Sequence, residues 1–118
     1  MIVANAENLN TVESVDEIVG QRPVYRKELV SSAASGGPSI LLVTFAPGSR
    51  LNYHTHDYEQ ILIITEGTGI VGTKKEEKTV KPGDVVFFAP GEVHWHGATK
   101  TSSLSHICIQ RPGIHLAE

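Results

Sequence analysis

The sequence predicts an all-β protein folded around an apolar interior, and three observations carry that expectation. Beyond residue 20 the apolar runs are short and rich in β-branched side chains; Gly and Pro separate them; and three of the separators share one Pro-Gly chemistry. The expected strands are Tyr25–Val30, Ile40–Ala46, Gln60–Glu66, Gly69–Thr73, Lys78–Val80, Val85–Ala89 and Leu104–Gln110. Ala46-Pro47-Gly48-Ser49, Lys81-Pro82-Gly83-Asp84 and Ala89-Pro90-Gly91-Glu92 each put Pro at the second turn position and Gly at the third, as a type II turn requires. The mixed-sign run Lys74-Lys75-Glu76-Glu77-Lys78 reads as a solvated hairpin tip, and Ser31–Pro38 as a loop. Before the strands, Thr11–Val19 carries Ser14 as an N-cap, Val12, Val15, Ile18 and Val19 at helical spacing and Gly20 as a stop, which predicts one short N-terminal helix within an extension over residues 1–24.

Ile40-Leu41-Leu42-Val43 and Ile61-Leu62-Ile63-Ile64 are apolar on both faces, whereas a half-exposed antiparallel sheet alternates with polar residues. Their outer side therefore needs a cover: a second sheet, the N-terminal segment or another copy of the chain. A homodimer is the favoured expectation. At 118 residues the chain is read as a single domain, 1–118, long enough to bury roughly two thirds of the surface it exposes when unfolded.

Ten basic against thirteen acidic residues give a net charge of −3, which recommends neither nucleic acid nor an anionic membrane as partner. No apolar run reaches the length of about eighteen residues that a membrane-spanning helix needs. Cys108 is the only cysteine and Met1-Ile2-Val3-Ala4-Asn5 lacks a secretory flank, so a cytoplasmic address is expected.

The residues that carry chemistry are the histidines. His54-Thr55-His56 and His94-Trp95-His96 each place two imidazoles at i and i+2, which share one face of a strand. One such pair is often a surface feature. Two, on facing strands and each entered from a Pro-Gly turn, form pincers that would close around a divalent cation, imidazole being a ligand that suits Zn, Cu, Fe and Ni.

Gly48 with His54-Thr55-His56, Glu59-Gln60 and Gly67 resembles the first cupin motif, and Gly83-Asp84 with Pro90-Gly91-Glu92-Val93-His94 resembles the second. The resemblance spans roughly residues 40–110. It implies a double-stranded β-helix, a jelly-roll barrel whose mouth holds one metal ion, with His54, His56 and His94 as ligands. The remaining ligand is Glu in many members and Gln or His in others. Ala89 stands where a proline is usual and Ala98 where the second motif ends in Asn.

Strand parity chooses between the neighbours Glu59 and Gln60. If the strand runs unbroken from the first pair, residues 54, 56, 58 and 60 share a face and Gln60 is the ligand; a bulge at Asp57 or Tyr58 would make it Glu59. With Gln60, no ligand carries charge, and the cation becomes a strong Lewis acid with two open positions if octahedral. His96 and His106 are then left for acid–base work, their ordinary pKa near 6.5 suiting proton transfer. His115 reads as a surface residue and Cys108 as a small buried hydrophobe.

The stretch from Gly83 through His94-Trp95-His96-Gly97 to Ser105-His106-Ile107 is similar to a subset of small bacterial cupins grouped loosely with carboxymuconolactone decarboxylases, among them manganese-dependent hydroxynitrile lyases. This implies a divalent transition metal (Mn favoured over Fe, Ni or Zn), a small-molecule substrate, and a lyase that breaks or forms a carbon–carbon bond beside a hydroxyl. An iron or copper dioxygenase and a non-catalytic small-molecule-binding module are the alternatives.

Overall fold

Short apolar strands joined by rigid corners fold back on one another, and the computed structural model, which describes residues 1–118, sets thirteen of them in two antiparallel sheets. Numbered in chain order, the first sheet runs β1 (Val12–Glu13), β3 (Val24–Val30), β4 (Ser39–Phe45), β12 (Leu104–Gln110), β7 (Gln60–Gly67), β10 (Val85–Phe88). The second contains β2 (Val19–Gln21), β5 (Arg50–Leu51), β6 (His54–His56), β8 (Gly69–Thr73), β9 (Glu77–Val80), β11 (His94–Ala98) and β13 (Ile114–Leu116). At its centre β11 pairs with β8 on one side and with β5 and β6 in succession on the other. Together the sheets form the all-β jelly roll expected. No helix is long and apolar enough to cross a membrane.

The Pro-Gly corners behave as their chemistry requires: Gly48, Gly83 and Gly91 take φ of 80°, 95° and 76°, a region closed to most L side chains. Alternation then fills the interior. Phe45, Leu62 and Leu104 are wholly buried and pack with Val24, Ile64 and Phe88 among others. Each such side chain contributes about 1.5–3 kcal/mol on burial. Phe45 also forms part of the floor beneath the histidines, its ring 5.6 Å from those of both His96 and His106.

Thr11–Val19 is not a helix, contrary to the sequence expectation. It is a strand, a turn and the start of another strand: β1 pairs with β3 at the edge of the first sheet and β2 with β5 in the second. A 3-10 turn at Ala6–Asn8 precedes it. The valines and Ile18 satisfy helical spacing, but β-branched residues also suit strands, and tertiary pairing decides. The segment thus crosses from one sheet to the other, and Ser14, Asp16, Ile18 and Val19 line the barrel's cavity. The Ser31–Pro38 loop holds a four-residue helix, α1 (Ser32–Ser35), capped by the Ser31 side chain and ended by Gly36 at φ 77°. β13, in the C-terminal tail, was not anticipated.

The outer face of the first sheet stays uncovered by the chain itself. Register places Val85 and Phe87 beside Ile63 and Ile61, these beside Ile107 and Ile109, and these beside Leu42 and Ile40. Phe87 is 62% exposed and Val85 65%.

Candidate metal centre

Antiparallel pairing of β6 with β11 sets His54 directly opposite His94. The two histidine pairs therefore lie on neighbouring strands of one sheet, not on facing strands as the sequence reading supposed. His54, His56, His94 and His96 are all buried. One ligand atom from each of His54, His56 and His94 lies within 4.8 Å of the others.

Hydrogen bonds fix which nitrogen of each ring is free. His54 Nδ1 donates to the carbonyl of Asn52 at 2.7 Å and His94 Nδ1 to that of Glu92 at 2.8 Å, so in the neutral rings both Nε2 atoms carry bare lone pairs. His54 Nε2 and both nitrogens of His56 have no partner in the folded chain. Burial lowers the pKa of all three: downward for His54, to about 4 for His56, where the neighbouring His54 adds to the effect, and to about 3 for His94, against its bond to Glu92. The rings are neutral at physiological pH, as ligands must be.

Gln60 faces the same three histidines. Its amide nitrogen donates to Gln110 Oε1 at 2.9 Å and to Cys108 Sγ at 3.1 Å, which turns Oε1 toward His94 Nε2, 2.9 Å away. That pair is informative, because a neutral imidazole already donating through Nδ1 and a carbonyl oxygen are both acceptors. They face each other with no proton between them. A cation shared by the two lone pairs, and by the orphaned nitrogens of His54 and His56, resolves the conflict; the donor set fits a divalent transition metal.

Gln60 points inward for a reason other than the expected one. The chain bends at Asp57–Glu59 and passes from β6 in the second sheet to β7 in the first, so no continuous strand carries the parity from His54 to Gln60. Gln60 is buried and Glu59 is partly exposed.

His96 and His106 lie alongside. His96 Nδ1 and His106 Nε2 are 3.3 Å apart and share one proton, leaving His96 Nε2 and His106 Nδ1 without partners. Burial holds His96 well below its ordinary pKa, with His106 adding to the effect, and lowers His106 to about 4. Cys108 is buried and its thiol is pushed up to about 12, as a protonated packing residue. His115 is exposed and bonds Asp57 at 2.9 Å.

A cavity of about 450 Å³ opens on these groups. His54, His56, Gln60, His96 and His106 line it, while His94 sits against Phe88, their rings stacked at 3.8 Å. The remaining wall includes Leu41, Val43 and Arg26, which sequence reasoning missed. The inward alternation of β4 was a signal for Leu41 and Val43.

Residues 41–110 match the family model described as a cupin domain. Over 71 residues, 58% of this chain, the sequence is 51% identical to an (R)-mandelonitrile lyase of Granulicella tundricola, of which it covers 53%. It is 34% identical to a germin-like protein of Arabidopsis thaliana, over 65% of this chain and 39% of that one. The chain thus spans about half the length of these relatives or less. Among solved structures, a cupin-like protein of Thermotoga maritima superposes with a TM-score of 0.83 at 31% identity, over 89% of this chain and 83% of that one. The polyketide cyclase RemF of Streptomyces resistomycificus has the same fold, with a TM-score of 0.86 at 14% identity, over 100% and 86% of the two chains. With both motifs seated on the two sheets, the chain belongs to the cupin family.

Proposed function

We propose that the chain is a metal-dependent lyase that cleaves or forms a carbon–carbon bond beside a hydroxyl on a small organic molecule, with His54, His56, Gln60 and His94 holding the metal. The observation that carries the reading is the close approach of two acceptors, His94 Nε2 and Gln60 Oε1, within reach of a second, unliganded histidine pair. Similarity to the Granulicella lyase supports it.

A divalent ion bound there supplies Lewis acidity, undiminished by any anionic ligand, to an oxygen of the substrate. The chain supplies the rest. With the shared proton on His96 Nδ1, His96 Nε2 is a bare base and takes the proton of the substrate hydroxyl. The carbon–oxygen bond becomes a carbonyl as the adjacent carbon–carbon bond breaks, and the electron pair leaves with the departing carbon, which His96 then protonates. His106 positions His96 and accommodates the relayed proton. Phe45 and Phe88 keep water from the floor of the site. Manganese is the ion we favour.

We infer too that two copies meet through the uncovered outer face of the first sheet. It is apolar across four adjacent strands and carries no charge among the eight residues that register places there, a surface suited to a like surface about a two-fold axis.

Elemental analysis of protein purified without added metal, with a mandelonitrile cleavage assay and oxygen uptake in parallel, tests the function. His54→Ala, His56→Ala and His94→Ala should each lose most of the bound metal, Gln60→Ala less, and Glu59→Gln none. Stoichiometric metal in a His54/His94 double alanine variant would sink the ligand set. Oxygen uptake with iron or copper bound would replace the lyase by an oxygenase.

A further inference from the structure

Four charged side chains line the cavity and have no part in the proposed ligand set or proton relay: Asp16, Arg26, Glu28 and Arg111. Asp16, Glu28 and Arg111 are exposed, where water and salt screen them. Arg26 is half-buried. The alternation of β3 turns it inward, since it lies opposite Val43, itself a cavity residue. A guanidinium has five N–H donors in a planar fork. Of these only Nη1 is engaged by another side chain, donating to Ser14 Oγ at 2.9 Å. No carboxylate of the chain, Glu28 included, comes within 4.0 Å of it.

A half-buried, always-charged group without a counter-ion is held at some cost, and its unengaged donors are free for an anionic ligand. The neutral histidines and Gln60 add no negative charge of their own, and the carboxylate felt at His54 is that of the exposed Asp16. Ile18, Val19, Leu41 and Val43 supply an apolar wall for an organic body. We propose that Arg26 anchors a carboxylate of the substrate, so that the cavity takes a small organic acid. The two oxygens of a carboxylate match the free part of the fork, whereas a phosphate would call for further buried donors that Arg26 does not have beside it. The inference rests on the reading of this cavity as the substrate site.

The test is calorimetric titration of the full chain, metal-free and metal-loaded, with 4-(hydroxymethyl)benzoate and its uncharged counterpart 4-(hydroxymethyl)benzamide. The acid should bind the wild-type protein about tenfold or more tightly than the amide, as a charge-assisted bond predicts, and added salt should narrow the gap. Arg26→Gln should abolish the preference and Arg26→Lys should retain part of it. Equal binding of acid and amide, binding of neither, or a preference that survives Arg26→Gln would overturn the proposal. The wild-type comparison and Arg26→Lys decide the matter even where Arg26→Gln fails to fold. Metal content measured on the same samples separates the two readings: metal bound without acid preference removes the Arg26 anchor alone, and acid preference without metal removes the metal centre alone.

Discussion

His96 is a histidine too many for the ligand set, and its contacts say what it is free to do. Nδ1 is engaged with His106, Nε2 is not engaged at all, and the ring meets Phe45 edge-on with centroids 5.6 Å apart. Replacing it should spare the metal and remove the proton acceptor, so His96→Ala should retain metal by elemental analysis while turnover falls by about 10²–10⁴-fold. Full activity in that variant would pass the role to His106. His106 itself makes a prediction about stability. Its pKa is about 4 when folded and near 6.5 when unfolded, so between those values the unfolded chain binds more protons. The contribution of His106 is present above pH 6.5 and lost as pH falls toward 4, by up to about 3 kcal/mol. His96, the titratable group facing it, is shifted the same way. Denaturant titrations of metal-free protein should show stability falling over that range, less steeply in His106→Gln. At this scale the sequence was most legible: spacing paired the histidines, and the resemblance to the cupin motifs, not the spacing, set His96 apart from the ligands. It missed Arg26, because a lone Arg in a strand otherwise polar in register, Val24-Tyr25-Arg26-Lys27-Glu28, looks like any solvated face.

Among the elements, the longer strands announced themselves, whereas the short β1, β2, β5 and β13 and the pairings did not. The boundaries of β3, β4, β7, β8, β9, β10 and β12 fall within a residue of those expected, since Gly and Pro punctuate them. Which strand lies beside which depends on contacts far apart in sequence, and so the shared sheet of the two histidine pairs, the bend before Gln60 and the loss of the N-terminal helix were hidden. β13 is the clearest case. Ile114-His115-Leu116 is too short to read as a strand, yet it pairs with β6, setting Ile114 opposite His56 and Leu116 opposite His54. It is a brace for the first histidine pair. Removing residues 113–118 should leave the barrel folded by circular dichroism but lower its metal affinity, because an unpaired β6 edge no longer holds both imidazoles in place. Unchanged affinity, read by competition with a chelator, would show that β11 alone suffices.

For the molecule as a whole, the sequence raised a question that the fold answers in part. Apolar residues on both faces of β4 and β7 required a cover, and the N-terminal segment, once a candidate, is spent on joining the two sheets and lining the cavity. Val85, Phe87 and Ile63 are left in water, the last 37% exposed. Sedimentation should find a dimer at micromolar concentration, and Phe87→Glu should give a monomer with an unchanged far-ultraviolet spectrum. A wild-type monomer under those conditions would remove the proposed interface.

Gln60 comes from one sheet and the three histidines from the other, so an ion held by all four acts as a rivet through both layers. Riveting is a matter of mass action. An ion that binds only the folded chain adds about 1.4 kcal/mol for each tenfold excess of free metal over its dissociation constant. Melting temperature thereby becomes a meter of occupancy that needs no substrate, and a cell short of the metal would hold a softer, more readily degraded protein as well as an idle one.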